Sequence, residues 1–151
     1  MRRRDLGFTE VVELGCAADD VFWYMIHPDT APTVDPTVVE WRCDDWPPKP
    51  GSLNRLKTIG PAGLPMRLVS RFTEFAAPNR MVIEGVRPYF AKWTRGVHDL
   101  ESLSNGTRYT YRVEMRPPAI FRMPYRAMAK RLRRGVQEGC VRLIERFGSP
   151  G

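Results

Sequence analysis

The sequence predicts an α+β fold: a run of antiparallel strands, about six to seven in all, followed by one long C-terminal helix, with short helices after the first strand. Three observations predict it. Strand-like segments succeed one another at hairpin spacing, turn-forming pairs such as Pro50-Gly51 and Asn105-Gly106 separate them, and from residue 125 the apolar period lengthens to that of a helix. With 151 residues the chain has room for one domain and a core of its own, so residues 1–151 read as a single unit, ordered over about 8–147.

Each element has its own grounds. Residues 8–14 mix apolar and polar side chains rich in strand formers, and a Gly15-Cys16-Ala17-Ala18 break follows. Asp19 or Asp20 is suited to cap the next segment, where Val21, Phe22 and Met25 share one helical face. Prolines make residues 29–36 a loop or a single turn, and 37–43 is the second strand. The meander then occupies 52–59, 64–75, 80–86, 91–103 and 107–115. Gly60-Pro61-Ala62-Gly63, Ala77-Pro78-Asn79, Arg87-Pro88-Tyr89 and Ser104-Asn105-Gly106 supply its turns. Pro117-Pro118 ends it, and Pro124 suits the first turn of a helix. Tyr125, Met128, Leu132, Val136, Leu143 and Phe147 then mark one face over residues 125–147.

Composition excludes several classes. Hydrophobic residues at 42% and charged residues at 27% describe a globular chain, neither disordered nor fibrous. The longest apolar run, Val21 to Ile26, has six residues where a membrane span needs about twenty. Met1-Arg2-Arg3-Arg4 has the charge of a signal peptide's start, but no apolar stretch follows it, and the cytoplasm is the expected compartment. A net charge of +7 favours acidic partners or simply solubility. Cys16, Cys43 and Cys140 form no CxxC pair, and His27 and His98 are the only histidines. A disulfide framework and a metal site are therefore not expected, and no cofactor is implied.

The order of elements has a family likeness, carried by local wording. Ala17-Ala18-Asp19-Asp20-Val21-Phe22 opens the first helix, Pro50-Gly51-Ser52 enters the third strand, and Phe72-Thr73-Glu74-Phe75-Ala76-Ala77-Pro78-Asn79-Arg80 passes from strand to turn. His98-Asp99-Leu100-Glu101 and Asn105-Gly106-Thr107-Arg108-Tyr109-Thr110 make the penultimate hairpin. Over residues 8–147 the chain resembles the SRPBCC superfamily, also called START-like, and within it the polyketide cyclase/dehydrase group. The resemblance implies the helix-grip fold, a curved sheet wrapped around the last helix, with a pocket between them for an apolar molecule.

Alternation assigns the pocket's lining. If Asn105-Gly106 is a two-residue turn, Leu100 lies opposite Tyr111 and His98 opposite Val113, so that His98, Tyr109, Tyr111 and Met115 face inward. A three-residue loop would instead bring in Trp93, Val97 and Asp99, and a bulge at Gly96 would admit both Trp93 and His98. Trp41, Met66, Leu68, Phe72 and Ile83 are the sheet's other apolar candidates, with Glu84 on the opposite face from Ile83. Met128, Leu132 and Val136 are the helix's candidates. Gly135 and Gly139, one turn apart, either hollow the helix face above the sheet or permit close packing against an aromatic ring. The loop Pro88-Tyr89-Phe90 can form a lip.

His98, with Tyr109 or Tyr111, can anchor a ligand oxygen or carry a proton, or can be a histidine satisfied by one tyrosine hydroxyl. His98 and Asp99 cannot form a dyad, because neighbours on a strand point to opposite faces. His27 suits the C-terminal cap of the first helix or the surface. The basic stretch Lys130-Arg131-Leu132-Arg133-Arg134 reads as a solvated face, partly self-paired through Glu138 and Arg142, with weak contact to anionic membrane as its alternative. The leading expectation is binding of a small hydrophobic or aromatic molecule, such as a lipid, polyketide or quinone. A cyclase or dehydratase using His98 and the tyrosines is the alternative, and a membrane or protein interaction module through the basic helix the second. Nucleic acid is not an expected partner, and monomer and homodimer both remain open.

Overall fold

The computed structural model describes residues 6–60 and 63–151. The basic start Met1 to Arg4 and the Pro61-Ala62 centre of one expected turn lie outside the described residues. In chain order the elements are β1 (Leu6–Leu14), α1 (Ala18–Ile26), α2 (Ala31–Val34), β2 (Val38–Cys43), β3 (Leu53–Ile59), β4 (Pro65–Ala76), β5 (Arg80–Arg87), β6 (Thr94–Leu103), β7 (Gly106–Met115) and α3 (Arg122–Phe147). Single 3-10 turns occupy Tyr89–Trp93 and Ala119–Phe121. The strands form one antiparallel seven-stranded sheet in the order β1-β7-β6-β5-β4-β3-β2. The first two strands thus sit on opposite edges, and α1 and α2 carry the chain across between them. This is the helix-grip α+β fold.

The helix α3 lies along β1. Arg133 pairs with Glu10 at 2.6 Å, and at the far end the Gly15 amide donates to the Gly148 carbonyl at 3.0 Å. Gly148 ends the helix with φ of +74°, a left-handed conformation that glycine adopts without a Cβ clash. Opposite β1, Arg131 donates to the Gly60 carbonyl at 2.8 Å and Arg142 to the Thr33 carbonyl at 3.0 Å. The terminal helix therefore spans the concave side of the sheet, from its β1 edge to the β3–β4 turn and α2. Arg142 is held by Thr33 rather than by the expected partner Glu138, because α2 brings a carbonyl within its reach.

Alternation puts Phe8, Val12 and Leu14 of β1 and Tyr109, Val113 and Met115 of β7 inside. They divide between two apolar clusters. One gathers α1, Phe72, Met81, Leu100 and Tyr109. The other gathers Phe8, Val113, Met115 and Tyr125. Tyr111 packs against both. On the convex face Val82 and Val97 are fully buried, within the part of the sheet whose outward neighbours Arg80, Arg95, Glu74, Glu84, Asp99 and Glu114 pair with one another.

Three expectations about element ends are corrected. The strand expected from residue 91 begins at Thr94, because residues 89–93 wind into a 3-10 turn. That turn is held by the Ala91 amide on the Pro88 carbonyl at 2.8 Å, and by the Tyr125 hydroxyl donating to the Phe90 carbonyl. The helix expected from residue 125 starts at Arg122, with Pro124 in the first turn, where an amide has no helical partner to lose. Asp19 and Asp20 lie inside the first turn of α1, favourable to its dipole, while Ala17 holds the N-cap position.

The penultimate hairpin turns at Ser104-Asn105, pairing Leu103 with Gly106, so Leu100 faces Tyr109 and His98 faces Tyr111. The slip of two residues preserves which side chains point inward. Gly106 serves close approach rather than the turn, since a Cβ there would lie 2.0 Å from the Leu14 carbonyl oxygen. Gly96 carries no bulge: β5–β6 and β6–β7 pair without interruption around it.

Candidate functional site

The concave face between the sheet and α3 is built from every second residue of the strands. On β6 and β7 it presents His98, Leu100, Tyr109 and Tyr111. The Tyr111 ring lies over Gly96, where a Cβ would meet it at 3.1 Å, and stacks on the His98 ring with centroids 4.1 Å apart. His98 Nδ1 lies 2.8 Å from the Tyr109 hydroxyl oxygen, and the two rings are nearly parallel, 11° apart. One tyrosine packs beside the imidazole and the other hydrogen-bonds to it.

Burial sets the chemistry of this trio. Loss of water pushes the His98 pKa down to about 3, so the imidazole is neutral at physiological pH. The same cause pushes Tyr109 and Tyr111 upward, helped by the negative charge of Asp35, so both phenols stay protonated. His98 and Tyr111 are not sealed, however: each keeps part of its surface accessible although surrounded by the sheet and helix. Asp99, next in sequence, points to the convex face and pairs with Arg80 at 2.6 Å.

The remaining predicted residues divide by position. Trp41 on β2, Leu68 on β4 and Ile83 on β5 face the interior and are only partly buried, as are Met66 and, on α3, Met128, Leu132 and Val136. Trp41 and Ile83 pack against the cluster built on α1, Phe72 and Met81, whereas Met128, Leu132 and Val136 pack against that of Phe8, Val113, Met115 and Tyr125. Phe72 and Met115 are fully buried, and Leu100 and Tyr109 nearly so, locked in the two clusters. Gly135 and Gly139 turn toward α2 and the start of β2. A Cβ on Gly139 would lie 3.1 Å from the Val34 carbonyl oxygen, and one on Gly135 would meet Thr37 at 3.8 Å. Their close neighbours belong to that segment, not to the sheet or an aromatic ring.

Trp93 does join the interior, though through the 3-10 turn rather than a bulge: its ring stacks on Phe121 and meets Tyr125 edge-on. Tyr89 is 69% exposed beside it. His27 holds the C-cap position of α1, its Nδ1 accepting from the Asp29 amide at 3.2 Å. Glu84 pairs with Arg95 at 3.3 Å on the convex face.

Three polar groups that sequence patterning does not single out share the concave face: Asn54 and Ser70, which lie directly opposite each other on β3 and β4, and the indole nitrogen of Trp41. Asn54 alternates with Arg55 like any surface strand residue, so nothing in the pattern marks it as interior. Outside the sheet, a shallow depression of about 260 Å³ lies along β1 and β7, and another of about 390 Å³ along β2 to β4. The first is bordered by Thr9 and Arg112 beside Phe8 and Val113, the second by Arg42, Arg55 and Lys57 beside Trp41, Leu56 and Leu68. Among the described residues no three His, Cys, Asp or Glu side chains gather as a metal site, and no helix is long and apolar enough to cross a membrane.

Solved structures repeat this architecture at low identity. A protein from Nitrosomonas europaea, NE0264, superposes with a TM-score of 0.71 at 19% identity over 93% of this chain and 92% of its own. The di-domain ARO/CYC StfQ of the steffimycin biosynthetic pathway gives a TM-score of 0.74 at 17% identity, over 95% of this chain and 50% of StfQ. Ara h 8.0201 gives 0.66 at 9% identity, over 93% and 99% of the two chains. At these identities the likeness is one of fold. No curated protein matches the sequence. The model of the family described as "Polyketide cyclase / dehydrase and lipid transport" matches residues 6–148. That match spans the sheet, the terminal helix and the concave face between them, and the chain therefore belongs to this family within the SRPBCC superfamily.

Proposed function

We propose that this protein binds a small hydrophobic or aromatic molecule between the sheet and α3. Membership of the family implies a cavity for a hydrophobic ligand. The observation that carries the reading is the incomplete burial of large apolar side chains on the concave face and on α3: Trp41, Leu68 and Ile83 from the sheet, Met128, Leu132 and Val136 from the helix. In a filled core such residues lose nearly all their accessible surface, and an apolar ligand gains about 25 cal/mol for each Å² it removes from water there.

Binding is better supported than proton transfer. A cyclase or dehydratase step at His98 needs an imidazole that accepts a proton near neutral pH, and burial holds this one at about 3. His98 and the tyrosines then serve as a flat, neutral wall on which an aromatic ring can stack. The basic helix supports the membrane reading less well, because Arg131, Arg133 and Arg142 are each engaged within the fold.

Native mass spectrometry of the purified chain tests the proposal. An apolar molecule should copurify, and Val136→Trp, which fills the space beneath α3, should release it while leaving the thermal midpoint within a few degrees of wild type. A ligand retained at full stoichiometry by a folded Val136→Trp variant would refute binding at this face.

A further inference from the structure

Within the concave face one group of buried side-chain polar atoms makes no hydrogen bond among the described residues. Asn54 is 0% exposed, and neither its amide nitrogen nor its amide oxygen has a partner among the described residues. The Ser70 hydroxyl, directly across the β3–β4 ladder, is buried and equally unpartnered, as is the Trp41 indole nitrogen on β2. Trp41 faces Leu56, two residues along β3 from Asn54. Four buried polar atoms on neighbouring strands of one face are thus left open. A buried amide without partners costs roughly 1 to 3 kcal/mol, so a cluster of such groups is expected where something else completes it.

We propose that Asn54, Ser70 and Trp41 form the polar anchor of the ligand site, selecting an apolar molecule that carries a neutral hydrogen-bond donor and acceptor side by side. The assignment rests on the cavity reading above and adds the chemistry of the ligand's polar end. Asn54 offers two N–H donors and a carbonyl acceptor, Trp41 a donor, and Ser70 either. Their complement therefore presents an acceptor oxygen to Trp41 and the Asn54 amide hydrogens, and a donor to the Asn54 carbonyl. A carboxamide, an undissociated acid or a hydroxy-ketone meets that demand. A carboxylate does not, for it has acceptors only. The flanking cations Arg42, Arg55, Lys57, Arg67 and Arg71 alternate to the other face of the sheet, where they offer it no partner. The same alternation that turns these cations away leaves the Asn54 end of the site selective for neutral groups.

Titration calorimetry of the full chain at neutral pH with three probes of one shape separates the possibilities. 2-Naphthamide has the donor and acceptor, 2-naphthoate has acceptors and a charge, and 2-ethylnaphthalene has neither. The amide is expected to bind about tenfold tighter than ethylnaphthalene, and naphthoate weakest of the three. Asn54→Leu, close to isosteric, should bring the amide-to-ethylnaphthalene ratio to about one while leaving ethylnaphthalene binding intact, and Trp41→Phe and Ser70→Ala should reduce it in part. Asn54→Leu should also raise the thermal midpoint of the ligand-free chain. An unchanged ratio in Asn54→Leu overturns the anchor, and so does a lowered midpoint, which would mark Asn54 as satisfied by structural water. Failure of all three probes to bind the folded wild type removes the cavity reading itself, an outcome distinct from loss of selectivity alone.

Discussion

His98 is held neutral by its surroundings, and the consequence is a pH-dependent stability with a definite sign. Its folded pKa, about 3, lies below the ordinary imidazole value of 6.5 found in the unfolded chain. Between those values the unfolded chain binds the extra proton, so stability is full above about pH 6.5 and falls as the pH drops toward 3. From neutrality to about pH 4.5 the loss amounts to about 2 kcal/mol. Chemical denaturation of wild type and His98→Gln at the two pH values isolates it from other titrating groups. The variant should lose less stability on acidification, and equal losses in the two proteins would mean that His98 takes up its proton in the fold as readily as in the unfolded chain. The Tyr109 hydroxyl, 2.8 Å from Nδ1, gives the neutral ring its hydrogen bond.

Among the elements, α3 carries two glycines whose surroundings differ. Glycine in a helix interior costs about 1 kcal/mol relative to alanine, so alanine is the better residue wherever its Cβ fits. At Gly135 the nearest atom to such a Cβ is a Thr37 methyl at 3.8 Å, ordinary contact, and Gly135→Ala should stabilise by about 0.5 to 1 kcal/mol. At Gly139 the Cβ would lie 3.1 Å from the Val34 backbone oxygen, which cannot swing aside as a side chain can. Gly139→Ala should therefore lose about 1 kcal/mol or more as α2 is pushed from the helix. Urea midpoints of the two variants measure the contrast. A gain in both would show that the contact between α2 and α3 yields easily.

At the scale of the whole molecule, the two faces of the sheet do different work. Over Val82 and Val97 the convex face is covered by paired charges, whereas on the concave face Trp41, Leu68 and Ile83 are only partly buried. Ligand binding at the concave face should order the elements that line it. Hydrogen exchange with a saturating copurified ligand, or with 2-naphthamide, should slow in α3 and in β2, β3 and β4, because each ordered side chain stiffens the backbone that carries it. Slowing confined to the outer β1–β7 depression, around Thr9 and Arg112, would relocate the site to the convex side.

The sequence alone determined the order of elements and their class, since a period of two in the meander and of three to four after residue 125 is a local property of the chain. It also determined that Tyr109 and Tyr111 share a face, whereas the facing of His98 depended on the loop length and was decided by the observed pairing of Leu103 with Gly106. Register, the winding of residues 89–93 and the roles of Gly96, Gly106 and Gly139 were decided by tertiary contacts: the Leu14 carbonyl, the Tyr111 ring, the Val34 carbonyl and the Tyr125 hydroxyl. Asn54 was invisible beforehand for the same reason. Alternation tells which residues share a face, but only the placement of α3 across the sheet tells that the face of Asn54 is the one shut away from water.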